Sequence, residues 1–156
     1  MFAAVKTAVG ACDVFFSVAA VADYRVKNPA ANKIKKGAAS ARRLDLEENP
    51  DILAWVAARP RAPFCVGFAA ESEKLAAHAK AKREKKGIPL IVANRVPEAL
   101  GAEDSAITLY DAHAAHPLGR GPKIALARKL VTHVAGMLAR RARPARAGAR
   151  RTTRSR

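Results

Sequence analysis

The chain has 156 residues and a mass of 16.6 kDa, half of them apolar, which suits one domain able to bury a core. Lys and Arg outnumber Asp and Glu by 29 to 13, but eight Arg and no acid fall in Arg140–Arg156, so half of the +16 excess belongs to a tail. The strongest apolar runs, Val14–Ala22 and Phe64–Ala70, are far shorter than the roughly twenty residues needed to cross a bilayer, and no membrane span is expected.

Met1–Gly10 has one Lys and no sustained apolar stretch, so export is not expected and the cytoplasm is the default compartment. Cys12 and Cys65 lack CxxC spacing and read as small buried hydrophobes rather than as a disulfide or zinc ribbon. Phe2, Val5, Val9 and Cys12 recur at helical intervals, and the β-branched and aromatic run Val14–Val21 reads as a buried strand. Asp23–Gly37 is polar and reads as a loop, and Leu44–Glu47 alternates like a half-exposed strand. Asn49-Pro50-Asp51 supplies an N-cap, a residue preset for the first helical turn and a carboxylate near the helix start. A short helix to about Ala58 should follow.

Phe64–Ala70 and Ile88–Asn94 are apolar strand runs, and between them lies a charged segment, Ser72–Lys86, stopped at Gly87. Strand, helix and strand in that order make a βαβ unit and a parallel sheet. Ala106–Tyr110 and Ala114–Leu118 should pair across a turn, and Ile124, Leu126, Leu130, Val131, Val134 and Leu138 form the stripe of a closing helix. The expected fold is therefore α/β: a Rossmann-like, mostly parallel sheet flanked by helices, with a small β-hairpin or flap. Residues 1–139 make the domain and 140–156 a disordered basic tail.

Ligands of such sheets bind beyond the carboxyl ends of the strands, where Asp23, Glu71 and Asn94 fall. Lys33, Lys35 and Lys36 suit a loop clamp over phosphates, although solvated lysines are commoner. Lys82 and Lys86 share one helix face at i and i+4, where like charges repel unless an anion lies between them. No GxSxG, HExxH, Walker A or GxGxxG motif is present. The histidines His78, His113, His116 and His133 lack metal-ligand spacing, and no metal site is expected. Trp55 and Tyr24 read as packing residues.

The ordered set AAVADYR (19–25), KIKK (33–36), NPDI (49–52), GFAAES (67–72), the Lys82/Lys86 pair before Gly87 and IVAN (91–94) resembles the phosphopantothenate–cysteine ligase family, over about Met1–Ala139. The resemblance implies a dimeric ligase that uses CTP, with Mg²⁺ arriving on the triphosphate, to activate 4′-phosphopantothenate as an acyl-cytidylate before coupling it to cysteine. Its nucleotide-binding positions fall on Asp23, Lys33, Asn49, Pro50, Asp51, Ile52, Phe68, Lys82 and Lys86. Lys33 is the expected catalytic charge. The family's glycine-rich first half has no counterpart from Met1 onward, so a complementary fragment, or a homodimer, is the expected partner, and no FMN is expected on this chain. The alternatives are a basic nucleic-acid-binding protein acting through the Arg-rich tail, and a non-catalytic remnant of the ligase.

Overall fold

The computed structural model describes residues 1–34, 43–71, 74–95 and 103–142. Helix α1 (Phe2–Ala8) tightens into a 3₁₀ turn at Val9–Ala11 and leads into strand β1 (Val14–Ser17). Strands β2 (Tyr24–Val26) and β3 (Leu46–Glu48) form a separate antiparallel hairpin. Then come α2 (Ile52–Ala57), β4 (Phe64–Glu71), α3 (Leu75–Lys85) and β5 (Leu90–Arg95). Strands β6 (Asp104–Tyr110) and β7 (Ala115–Pro122) precede the long helix α4 (Lys123–Ala142).

The main sheet has the order β1-β4-β5-β6-β7. The first three strands are parallel, and β6 and β7 add antiparallel neighbours. Because successive strand side chains alternate between faces, the apolar runs build two cores. On one face Cys65, Ala69, Ile88, Ile91, Ala93 and Tyr110 pack under α2 and α3, with Ile52, Leu53, Val56 and Ala79 descending from those helices. On the other, Phe64, Val66, Leu90, Val92 and Leu109 meet Leu130 and Val134 of α4. Continuous apolar strands covered on both sides are what a parallel sheet requires. Phe2 meets Trp55 edge-on with ring centroids 5.2 Å apart, joining α1 to α2.

Several expectations need correction. The first strand run ends at Ser17, and Val18 and Val21 are exposed, because the chain leaves the sheet there for the crevice rim. The expected small hairpin is present, and the Asp23–Gly37 segment, polar and loop-like by composition, supplies its first strand, β2, through pairing with β3. Within α4, Ile124 and Val131 are exposed and only Leu126, Leu130 and Val134 are buried; the helix touches the sheet along a narrower stripe than its apolar content suggests. It also runs to Ala142, past the 139 boundary, while residues 143–156 lie outside the described residues. Cys12 is exposed, unlike Cys65, since it closes the 3₁₀ turn on the solvent side. Tyr24 is 55% exposed, on the flap and outside both cores.

Gly67 permits the close approach of α2 to the sheet. A Cβ there would lie 2.7 Å from Ile88 Cδ1 and 2.9 Å from Leu53 Cδ2, and both side chains are buried. Gly67→Ala should therefore destabilise the fold by about 1–3 kcal/mol, the usual cost of overpacking. A urea midpoint unchanged from wild type would contradict that close approach.

Candidate functional site

A crevice of about 590 Å³ opens where β1 and β4 leave the core, bounded by the segment Ala19–Tyr24, the turn Glu48–Leu53, Phe68 and the lysines of α3. The local chemistry explains its shape. Asn49 staples the flap to the rim: its backbone N–H donates to Asp23 O at 2.7 Å, its Nδ2 donates to Ala22 O at 2.8 Å, and its Oδ1 accepts from the Arg25 guanidinium at 2.9 Å. Arg25 also pairs with Glu47 at 2.8 Å across the hairpin. Asn49 thus spends its side chain on architecture and is not the N-cap of α2. That role belongs to Asp51, whose Oδ1 accepts from Ala54 N at 3.0 Å. The helix starts at Ile52, two residues later than expected, because the Asp51 side chain is the one placed to reach the free amide.

The second oxygen of Asp51, Oδ2, accepts from Lys86 Nζ at 2.5 Å. This pair ties the start of α2 to the end of α3 and holds an ammonium at the crevice wall. Partial burial disfavours the charged carboxylate, but the Ala54 amide and the Lys86 ammonium outweigh it, and the carboxyl sits below its ordinary value of 3.8. A depressed carboxyl contributes stability above the unfolded-state value and loses it as pH falls through the folded one. The urea midpoint of wild type should therefore drop more than that of Asp51→Asn between pH 7 and pH 3, with the divergence beginning below about pH 4. Asn still caps the helix, so parallel pH curves would show that the ion pair contributes nothing.

Of the residues selected from sequence, Asp23, Asn49, Pro50, Asp51, Ile52, Phe68, Lys82 and Lys86 all line this crevice. Lys33 does not; it is exposed in the segment after β2. Lys35, Lys36 and Ser72 lie outside the described residues. Asn94 is half-buried on β5, away from the lining. Phe68 is 37% exposed and offers an apolar face. Sequence reasoning missed Lys85 and Glu48. Lys85 was legible, since it lies at i+3 from Lys82 on the neighbouring helix face; Glu48 enters because the hairpin sets it opposite Tyr24 at the crevice rim. The chemical character is mixed: lysines on the α3 side, carboxylates of Asp23 and Glu48 on the flap side, and an apolar floor.

A second polar cluster brings together two of the histidines that lack metal-ligand spacing in the sequence. Asp111, His116 and His133 converge at the β6–β7 turn and α4, brought together by the hairpin and by the packing of α4 against it. Among the described residues, no helix is long and apolar enough to cross a membrane.

Comparison with known proteins places these features in context. Residues 1–138 match the family described as the DNA/pantothenate metabolism flavoprotein C-terminal domain. The chain is 37% identical over 139 residues to the coenzyme A biosynthesis bifunctional protein CoaBC of Vibrio vulnificus (strain YJ016), covering 86% of this chain and 35% of that protein. It is 40% identical over 116 residues to CoaBC of Escherichia coli (strain K12), covering 70% of this chain and 29% of the relative. It thus spans about a third of these curated relatives. The crystal structure of the C-terminal domain of CoaBC superposes with a TM-score of 0.70 at 27% identity, over 88% of this chain and 61% of that one. The DNA/pantothenate metabolism flavoprotein of Streptococcus pneumoniae, at 16% identity and a TM-score of 0.69 over 87% of this chain and 68% of that one, shares the fold.

Proposed function

We propose, from the premise that this chain belongs to the DNA/pantothenate metabolism flavoprotein C-terminal domain family, that it acts in coenzyme A biosynthesis as the carboxyl-terminal part of a CTP-dependent ligase joining 4′-phosphopantothenate to cysteine. The observation that carries this reading is the convergence, in one crevice, of residues drawn from segments as far apart in sequence as Asp23 and Lys86.

The reaction has two steps. The carboxylate of 4′-phosphopantothenate attacks the α-phosphorus of CTP and pyrophosphate leaves; the amine of cysteine then attacks the acyl carbon and CMP leaves. Both steps move negative charge onto phosphate oxygens, and fixed cations near those oxygens lower the barrier. Lys82 and Lys86 supply such cations on the α3 wall. Lys86 is held there by Asp51, whose carboxylate the triphosphate would compete with for the ammonium. Asp23, an exposed carboxylate on the rim, can accept hydrogen bonds from ribose hydroxyls or a base amine. Phe68 offers its ring to the nucleoside. The Mg²⁺ carried by the triphosphate would meet Asp23 and Glu48, the carboxylates of the crevice not already engaged by Lys86. Lys33 supplies a further charge in this reading only if the segment after Val26 folds over the crevice, where it would also exclude water from the acyl-cytidylate.

The sheet edge at β1, which among the described residues pairs only with β4, is where a complementary segment would extend the sheet, and the exposed Leu44 and Leu46 at the hairpin suit a homodimer contact. The test is pyrophosphate release. The chain, alone and with the glycine-rich segment of a relative, is incubated with CTP, Mg²⁺, 4′-phosphopantothenate and cysteine. Release that requires the pantothenate substrate is expected from at least one mixture; silence from both, with no CTP binding, would overturn the reading.

A further inference from the structure

The edge of the sheet remote from the crevice holds chemistry that amide formation does not use. Strand β6 runs antiparallel to β5, so Asp111, just beyond its end, lies at the opposite end of the strands from the nucleotide crevice. Asp111 Oδ1 accepts from the backbone amides of His113 and Ala114 at 2.7 and 2.8 Å. This fixes the carboxylate and turns Oδ2 toward His116 Nε2, 2.9 Å away. The His116 ring lies against that of His133, with centroids 4.6 Å apart and planes tilted by 55°. His133 comes from the middle of α4, and its Nε2 is buried without a hydrogen-bond partner. One ligand atom from each of the three residues falls within 4.8 Å of the others.

We propose that Asp111, His116 and His133 form a binding site for a divalent transition metal of the zinc class, clipping the β6–β7 turn to α4. Two observations carry the assignment independently. The donor set, two imidazoles and one carboxylate, is one that zinc accepts, with the fourth position left to water, and imidazole selects such ions over magnesium or calcium. Separately, a buried ring nitrogen without a partner is costly and uncommon, and an ion at the centre of the cluster would accept its lone pair. The amides of His113 and Ala114 then act as the outer supports that orient the ligating carboxylate. Donors around a tetrahedral zinc lie about 3.4 Å apart, from bonds of about 2.0–2.2 Å, so loading draws the His133 ring inward by about an ångström while the ion replaces the hydrogen between Asp111 and His116. Joining two separate elements, the ion should stabilise the fold by mass action.

The test uses the full chain stripped with EDTA. Titration calorimetry with zinc chloride should give one ion per chain, zinc should raise the thermal midpoint, and Co²⁺ should develop visible absorption that zinc abolishes and Mg²⁺ does not. His116→Gln and His133→Gln should each weaken binding at least about 10-fold. Affinity weaker than about 100 μM, or affinity unchanged in both variants, would overturn the site and locate any zinc at Cys12, His78 or the terminal amine. Should either variant fail to fold, the ring resonances of the wild-type histidines decide. Zinc must shift those of His116 and His133 and leave His78 in place; the reverse pattern refutes the proposal.

Discussion

Leu90→Ala should lower the unfolding free energy by about 2–5 kcal/mol, the range for truncating a buried leucine whose surroundings cannot collapse. Leu90 is fully buried at the start of β5, with β4 on one side and β6 on the other. Its side chain is enclosed by Phe64 and Val66 of β4, Leu109 of β6, and Leu130 and Val134 of α4. The strands are held in register by backbone pairing, for example Val66 opposite Leu90, so only α4 is able to settle toward the lost volume. Against a total of about 5–15 kcal/mol for a domain of this size, the loss is a large fraction. Urea denaturation followed by circular dichroism measures it. Val131→Ala, on the exposed side of α4, is the control and should change stability by less than about 0.5 kcal/mol. Equal midpoints for the two variants would mean that α4 does not cover the sheet.

Those same residues show what could be read in advance. Phe64–Ala70 and Ile88–Asn94 are apolar at both parities, and a strand so composed has to be covered on both faces; the intervening charged segment is long enough to be the crossover helix. The fold class follows from that alone. Which face of α4 would be buried did not follow, because Ile124 and Val131 are as apolar as Leu126 and Leu130, and the choice depends on the angle at which the helix crosses β6 and β7. Short elements were least legible. Leu44–Glu47 showed strand alternation, but its partner Tyr24–Val26 has a strand only because Leu46–Glu48 comes back to pair with it, a contact between distant segments that leaves no periodic signal in the first of them.

The crevice was legible because its residues sit in short, ordered motifs, AAVADYR, NPDI and GFAAES, that carry the family resemblance. Roles within it were less so. Asn49 and Asp51 are both good helix caps by type, and only geometry shows that one staples the flap while the other starts the helix and holds a lysine. The Asp111, His116 and His133 cluster escaped notice for a related reason: Asp111 and His116 are five residues apart, but His133 joins them through the packing of α4, which no spacing rule encodes.

Lys86→Ala should weaken CTP binding by about 10- to 100-fold. A charged hydrogen bond is worth about 1.5–3 kcal/mol, and each 1.4 kcal/mol is a factor of ten. The loss has two parts. One is the missing attraction to the triphosphate; the other is the Asp51 carboxylate, which the ammonium now neutralises and which would then face the phosphates alone. Asp51→Asn separates them, because it removes the negative charge and keeps the cap on α2. In the wild-type background Asp51→Asn should leave CTP affinity equal or tighter, since Lys86 is released to the ligand. In the Lys86→Ala background it should recover part of the lost affinity, giving a coupling between the two substitutions that a double-mutant cycle resolves. Lys82→Ala, which removes the other α3 lysine of the crevice carried in the sequence motif, should also weaken CTP binding. Because Lys86 is part-exposed, the effect should also shrink at high salt. Additive losses for Lys86→Ala and Asp51→Asn, or CTP affinity indifferent to both lysines, would mean that the ion pair serves the fold and that the triphosphate lies elsewhere.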